Sequence, residues 1–551
     1  MNPVILLWLT YYLSLASKAL GDEKENSTKV KFSIGAIVDN SSRTGKEETT
    51  AMKMAIHDYF NYTDNKPVLH IQDTGKDLTE TTVAGKNYFI LKIGHGIFLY
   101  NKREYLILTC TMTTLTAAMD LINKKQVRVV LGLRKWYEVA LAAELSDRAK
   151  VPVLSFADAF PRWAIKRWPF LVQATHQQYY KQMSAVAAIV GTWRWRMVNF
   201  IYEDTDSATL SILPHLIDTL NQVGTSIENL VPLPPLASSL YDDLEKLKRK
   251  QCRVFIVHTS LSLAKQLFLE AKKMGLMEKD TVWITTTSIS DHFHFLNSSV
   301  LLTMDGVLGV KTYYPQTGTQ FQDFNSRFRS RFRLEHPEEV SLIPGIFALQ
   351  AYDATRAALL AMGGRKEVNT TSDSKDKKEN SSTLHGKELL QKILQNDFNG
   401  LTGEYHFTDD VLAASNTFRI VNVVGKSYRG MGFWSEGLGF SKTILDEKSI
   451  FNMSMEILGQ VLWPGTPRDV PRGWALPTTE NPLIIGVPEN PTFNQFVNIR
   501  HVGGKQTFSG YSIEVFKAVV SSLKYHLPYE FVPYNGTYDS LVQQIYYKVR
   551  N

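Results

Sequence analysis

The chain has 551 residues, 44% of them hydrophobic and 21% charged, with a formal net charge of +7. At ~100–200 residues per domain, this length predicts two to four domains or lobes with a sizeable core. The small positive balance lacks the basic stripe of a dedicated nucleic-acid binder. Two cysteines, Cys110 and Cys252, allow at most one intrachain disulfide and exclude a disulfide-built scaffold.

Met1–Gly21 is an apolar run ending in small residues, with Ala19 and Gly21 spaced as at a cleavage site, and reads as a secretory signal peptide. A charged n-region is missing apart from the amino terminus, so an uncleaved anchor is the alternative. Sequons at Asn26, Asn40, Asn61, Asn297, Asn369, Asn380, Asn452 and Asn535 fit a secretory route as glycosylation sites. No later stretch reaches the ~20 apolar residues that a membrane-spanning helix needs.

Lys29 to Asp39 predicts a strand and Ser41 to Thr49 a polar loop rich in capping residues. Met52, Ala55, Ile56, Tyr59 and Phe60 then recur on one face of a helix. A strand at Val68 to Asp73, a helix marked by Leu115, Met119 and Ile122, a strand at Val127 to Leu131, a helix at Trp136 to Ala149 and a strand at Pro152 to Phe156 come next. Such alternation implies a parallel sheet with helices on both faces. The pattern repeats through strands at Met197 to Tyr202, Arg253 to His258 and Val282 to Thr285. Two doubly wound lobes of this kind make an α/β clamshell whose cleft lies at the carboxyl ends of strands.

Asp305 to Pro315 returns the chain toward the first lobe, Gly345 to Met362 is a helix, and residues 366–383 are a polar surface loop. Phe398 to Phe440 is strand-rich and completes the first domain, 29–445. One stretch breaks the pattern: Gly85 to Thr111 lengthens a connection beyond what compact domains carry. It reads as an abnormal insertion, an intron taken as coding sequence, or as an extra hairpin, since YFILKIGHGIFLY is β-prone. Leu462 to Glu489 holds prolines at 464, 467, 471, 477 and 482, withholds backbone donors and predicts an extended linker over 446–481. Order resumes at Leu483, where a second domain, 482–551, begins.

The tracts WPG and PRGW around Trp463 and Trp474, LIIGVPEN, PTFNQFV, FSGYSIEVFKAVVSSL and LPYEFVPY resemble the entry to the ligand-binding domain of plant glutamate receptor-like channels, in the ionotropic glutamate receptor family. VPVLSFADAFP, KRWPFLVQATHQQY, AYDATRAAL, GLTGEYHF and IVNVVGKSYRGMGFW resemble that family's amino-terminal domain, itself similar to bacterial leucine-binding proteins. The resemblance implies a bilobed, periplasmic-binding-protein-like (Venus flytrap) clamshell followed by the first segment of a second clamshell. It implies an amino acid ligand such as glutamate, tetrameric assembly with other receptor subunits, no cofactor, and a membrane pore outside this chain.

Within that resemblance Phe508 matches the aromatic residue that stacks over the bound amino acid, where a ring face supplies apolar contact and attracts an ammonium; core packing is the alternative. The arginine that grips the ligand carboxylate would lie past Asn551, so residues 482–551 are expected neither to bind an amino acid well nor to fold stably alone. In the first clamshell Ser155, Asp158 and Gln173 follow strand ends, as ligand contacts or as loop caps.

FQDFNSRFRSRFR places Phe321, Phe324, Phe328 and Phe332 at helical spacing, so its arginines read as the outer face of a buried stripe. His292 and His294, two residues apart with no third ligand near, read as surface residues and no metal site is expected. No triad or P-loop is visible, and the expected function is a non-enzyme: the extracellular part of an amino-acid-gated, non-selective cation channel subunit at the plasma membrane. The alternatives are a secreted binding or decoy protein and the ectodomain of a receptor enzyme.

Overall fold

Continuous apolar, β-branched runs rather than alternating ones set the two main sheets, because both faces of each are covered. The computed structural model describes residues 32–547 apart from 61–66, 75–87, 94–95, 102–111, 158–160, 176–178, 205–206, 235–238, 364–380, 409–410, 414–415, 445–448, 466–467, 478, 480–481, 490, 492, 503–504 and 524–525. In the first part lie β1 (Ser33–Val38), β2 (Val68–Asp73), β3 (Tyr88–Ile93), β4 (Gly96–Asn101), β5 (Val129–Gly132), β6 (Val153–Ser155) and β7 (Leu171–Gln173). Five of them form a parallel sheet in the order β2-β1-β5-β6-β7. Successive strand residues face opposite sides. Ile34, Ala36, Val129 and Leu131 pack with the helices Arg43–Phe60, Thr319–Glu335 and Ile346–Gly363. Ile37, Val130 and Val153 pack with Trp136–Ala149 and helical residues 112–119.

Phe321, Phe324, Phe328 and Phe332 are all buried, and the Phe328 and Phe332 rings stack at 5.2 Å. Arg327 and Arg331 lie outside this stripe and pair with Asp58, Asp323 and Glu335. The Arg43–Phe60 helix starts earlier than the polar composition of 41–49 predicts. Ser42 Oγ accepts from Gly45 N at 3.0 Å and supplies the cap, while Arg43, Glu47 and Glu48 are buried with partners elsewhere in the chain. Within Gly85 to Thr111 the described residues form an antiparallel hairpin, with Tyr88 opposite Asn101 and Ile93 opposite Gly96.

The second lobe takes β8 (Met197–Glu203), β9 (Ser226–Leu233), β10 (Val254–His258), β11 (Val282–Thr285) and β12 (Leu308–Thr312), all parallel. The chain returns to the first lobe for the three-stranded sheet β13 (Asp397–Gly400), β14 (Gly403–Thr408) and β15 (Val411–Leu412). It then adds β16 (Thr417–Val424), β17 (Ser427–Ser435) and β18 (Gly439–Ser441) to the second sheet, whose order is β18-β17-β16-β12-β11-β10-β8-β9. These last three run antiparallel, so this sheet is mixed where sequence alternation predicts a parallel one. A two-residue turn at Gly425 and Lys426, with Gly425 at φ 56, turns β16 back into β17.

Residues 455–465 and 468–475 form an irregular strap along the second lobe. Met455, Leu458 and Trp463 enter its core; the Trp463 ring meets those of Trp193 and Trp195 at 5.0 and 5.7 Å. Asn422 accepts from Leu462 N at 3.0 Å and donates to Leu462 O at 2.9 Å, and Trp195 Nε1 donates to Pro471 O at 3.0 Å. Beyond the strap, β19 (Leu483–Pro488) pairs in parallel with β22 (Tyr529–Tyr534) across the hairpin of β20 (Asn498–Val502) and β21 (Lys505–Ser509). The Tyr511–Ser522 helix buries Ile513 but leaves Tyr511, Val515 and Val519, at i, i+4 and i+8, exposed. Its amides should therefore exchange with deuterium at least about tenfold faster than those of Ile346–Gly363. Equal protection in a hydrogen-exchange experiment would show that this segment has a covering contact of its own.

Candidate functional site

The segment after β11 in the second lobe meets the first lobe at the helices that begin at Arg43 and Ile346, beside the carboxyl ends of β1 and β5. After β5 the backbone turns through Leu133, at φ 64, and presents Arg134. Arg134 pairs with Glu48, donates from Nη1 to Phe156 O at 3.1 Å, and lies 4.4 Å from the Phe347 ring centre. It thereby ties β5, β6 and the helices starting at Arg43 and Ile346 into one wall.

The loop after β6 is fixed from behind. Ser155 Oγ donates to Leu133 O at 2.9 Å and accepts from Ala157 N at 3.1 Å. Gln173 Nε2 and Thr175 Oγ1 donate to Ala157 O at 3.3 and 2.9 Å. Ser155 and Gln173 are fully buried, so both act on the backbone of the loop that leads to position 158. Asp158 itself lies outside the described residues.

From the opposite lobe, residues 291–295 reach across. Asp291 accepts from Thr312 N and Oγ1 at 2.8 and 2.7 Å. His292 stacks on Phe347 with ring centres 4.7 Å apart, and burial pushes its pKa down to about 3, so it is a neutral apolar-faced ring. His294 bonds Glu47. Reading both histidines as surface residues is thus overturned: their side chains are enclosed between the lobes, which residue type and spacing do not reveal. Lys311 donates to Ser290 O and Asp291 O at 3.4 and 3.3 Å, and burial lowers its pKa to about 8. On the second lobe's own strand ends, His258 Nδ1 meets Thr286 Oγ1 at 2.8 Å and burial lowers its pKa to about 4. No group of His, Cys, Asp and Glu able to hold a metal is found among the described residues.

The profile of the receptor family ligand binding region matches residues 109–426 of this chain. The chain belongs to that receptor family. The match starts on the carboxyl side of the β3–β4 hairpin. Glutamate receptor 2.1 of Arabidopsis thaliana is 30% identical over 557 residues, covering 98% of this chain and 57% of its own length. Glutamate receptor 2.2 of the same plant is 34% identical over 452 residues, with 78% and 48% covered. These relatives put the receptor chain in the plant glutamate receptor-like branch; it spans about half the length of the curated relatives it matches. Among solved structures, the branched-chain amino acid substrate-binding protein LivJ of Streptococcus pneumoniae, in complex with isoleucine, superposes with a TM-score of 0.53 at 14% identity over 73% of this chain and 98% of that one. The leucine-binding protein LivK of Thermotoga maritima gives 0.52 at 13% identity, with 73% and 98% covered. These likenesses establish the fold as a binding-protein clamshell.

In the second unit of the receptor chain, Phe508 is half-buried on β21, its ring 5.2 Å from that of Phe531. Of the sequons, Asn297, Asn452 and Asn535 are exposed. Asn40 is half-buried and accepts from Thr49 Oγ1 at 2.6 Å. Asn26, Asn61, Asn369 and Asn380 lie outside the described residues, as does Cys110; Cys252 is buried with Sγ 3.3 Å from Met197 O. Sequence reasoning missed Arg43, Glu47, Glu48 and Arg134. The signal was present in the adjacent acids of Glu47 and Glu48 near a helix start, but their partners lie too far along the chain for local pattern to show.

No helix of the described residues is long and apolar enough to cross a membrane.

Proposed function

We propose that the chain is the extracellular ligand-recognition part of an amino-acid-gated, non-selective cation channel subunit, acting as a receptor and not as an enzyme. What supports this reading is the bilobed binding-protein fold, in which Arg134, Phe156 and the Ser155- and Gln173-braced loop stand at the carboxyl ends of first-lobe strands. An amino acid offers an ammonium and a carboxylate. Asp158, at the end of the braced loop, is the counter-charge for the first, and Ser155 and Gln173 hold that loop in register. Ligand that prefers the closed clamshell shifts the population toward closure. The strap that anchors the second lobe to the chain entering β19 is the route by which that change reaches a pore contributed by sequence outside this chain. Phe508 would serve the second clamshell by stacking on a second amino acid. Other receptor subunits complete the assembly, and the exposed sequons at Asn297, Asn452 and Asn535 carry glycans on the extracellular side of the plasma membrane.

Titration calorimetry of the purified chain against the proteinogenic amino acids tests the reading. At least one should bind with measurable heat, and Asp158→Ala should weaken it by about tenfold or more, the equivalent of one lost charged hydrogen bond, while Phe508→Ala leaves that site unchanged. Absence of binding by every amino acid would overturn it.

A further inference from the structure

The chain leaves the centre of each main sheet in two directions. In the first lobe β1 stands between β2 and β5, so the connections from β1 and β5 part there. In the second lobe β8 pairs with β9 on one side and with β10 on the other, and β10 is followed by β11 on its far side. Connections that part in this way open a crevice outside the carboxyl ends of the two central strands. The second-lobe crevice lies between Glu203, the last residue of β8, and His258, the last of β10, because Tyr202 and His258 are level in the register.

This crevice carries acids and hydroxyls. Glu203 is half-buried, and its Oε2 accepts from Ser260 N at 2.7 Å, which fixes the carboxylate beside the start of the helix Leu261–Lys273. Asp204 follows it, exposed. His258 is neutral, since burial lowers its pKa to about 4, and it meets Thr286 Oγ1, which lies 2.9 Å from Ser288 Oγ. Positive charge is missing from this rim: the described residues that follow β8, β10, β11 and β12, at 204, 259–262, 286–290 and 313–318, include no lysine or arginine. The basic side chains that border it are turned elsewhere. Lys311 donates to Ser290 O and Asp291 O, Arg419, level with it on β16, donates to Gln316 Oε1 at 3.2 Å, and Lys181 pairs with Glu436. With neighbouring strands ~4.8 Å apart, β12 and β16 stand roughly 10 and 14 Å from β10. In the first lobe Arg134 and Lys135, which follow β5, have Glu48 and Glu138 as partners.

Resting on the amino-acid reading of the cleft, we propose that its ligand is a basic amino acid whose side-chain cation is received by Glu203 in the β8–β10 crevice. An ammonium or guanidinium brings only donors, and the Glu203 carboxylate and the Ser288 hydroxyl can accept them. A dicarboxylic amino acid would instead set its second carboxylate beside Glu203 with no cation to balance it, at the cost of like-charge repulsion and desolvation.

Calorimetry on the full chain with L-arginine, L-lysine, L-glutamine and L-glutamate ranks the candidates. Arginine or lysine should bind about tenfold or more tighter than glutamine, the yield of one charge-assisted hydrogen bond, and glutamate should bind weakest. Glu203→Gln, which keeps an acceptor for Ser260 N, should erase the gap between arginine and glutamine, and Glu203→Asp, which keeps the charge, should retain most of it. Tighter binding of glutamate or glutamine than of both basic amino acids would overturn the inference, as would a gap that persists in the folded Glu203→Gln chain; if that variant does not fold, the ranking on the parent chain decides. In either case an amino acid still binds and the reading of the cleft stands, whereas silence from every amino acid overturns both.

Discussion

Replacing Asp353 with alanine should lower the unfolding free energy by about 3–5 kcal/mol, the cost of leaving two buried backbone donors and a hydroxyl unpaired at ~1–3 kcal/mol each. Asp353 sits on the Ile346–Gly363 helix with no exposure, and its carboxylate accepts from Leu401 N at 2.9 Å and from Thr402 N and Oγ1 at 2.8 and 2.7 Å. Those three bonds fix the turn between β13 and β14 against the helix, and Gly400 admits the carboxylate, since a Cβ there would lie 2.6 Å from it. Burial raises the Asp353 pKa to about 6 despite the opposing hydrogen bonds. A carboxyl raised on folding adds stability as pH falls through its folded value, and that addition is complete only below the unfolded one. The loss caused by Asp353→Ala should therefore grow as pH is lowered from neutral to below 6. Denaturant unfolding across that range checks both statements, and a loss under ~1 kcal/mol would show that the turn is held by other contacts.

The second large effect concerns the strap. Gly306 adopts φ +84, and a Cβ on it would lie 2.1 Å from Pro464 N and 2.4 Å from Trp463 C. Gly306→Val thus combines left-handed strain of roughly 1–2 kcal/mol with displacement of Trp463, a core ring whose exposure forfeits about 1.5–3 kcal/mol. The expected loss is about 3–5 kcal/mol in total, with tryptophan emission shifting to the red as the Trp193, Trp195 and Trp463 cluster opens. Gly224→Val is the comparison: its φ is +73, but nothing lies within 4 Å of where its Cβ would be, so it should show the strain alone. Equal losses in the two variants would mean that the strap is not held at Gly306.

Legibility tracked the range of the interactions. The phenylalanine stripe from Phe321 to Phe332 and the helix from Ile346 to Gly363 were readable because burial of one helix face imposes a 3.6-residue period that needs no knowledge of the partner. The braced loop after β6 was readable as a strand end bearing Ser155, although what its hydroxyl bonds was not. Buried charge was not readable. Arg43 and Glu47 look like loop residues by type, and they enter the interior only because Glu339 and His294, nearly three hundred residues or roughly two hundred and fifty residues away, meet them there. The same holds for the proline-rich strap. Proline content predicts an extended backbone, but the Asn422, Trp195 and Asp280 contacts that fix it belong to the second lobe. The antiparallel strands β16 to β18 escaped because a hairpin joining an otherwise parallel sheet leaves no mark in local periodicity.

The most direct measurement is small-angle X-ray scattering of the purified chain with and without the amino acid that calorimetry identifies. Closure of the clamshell on that ligand predicts a smaller radius of gyration in its presence, abolished by Asp158→Ala. Binding without compaction would contradict the account, because a ligand that does not favour the closed lobes has no means of pulling on a pore through the strap.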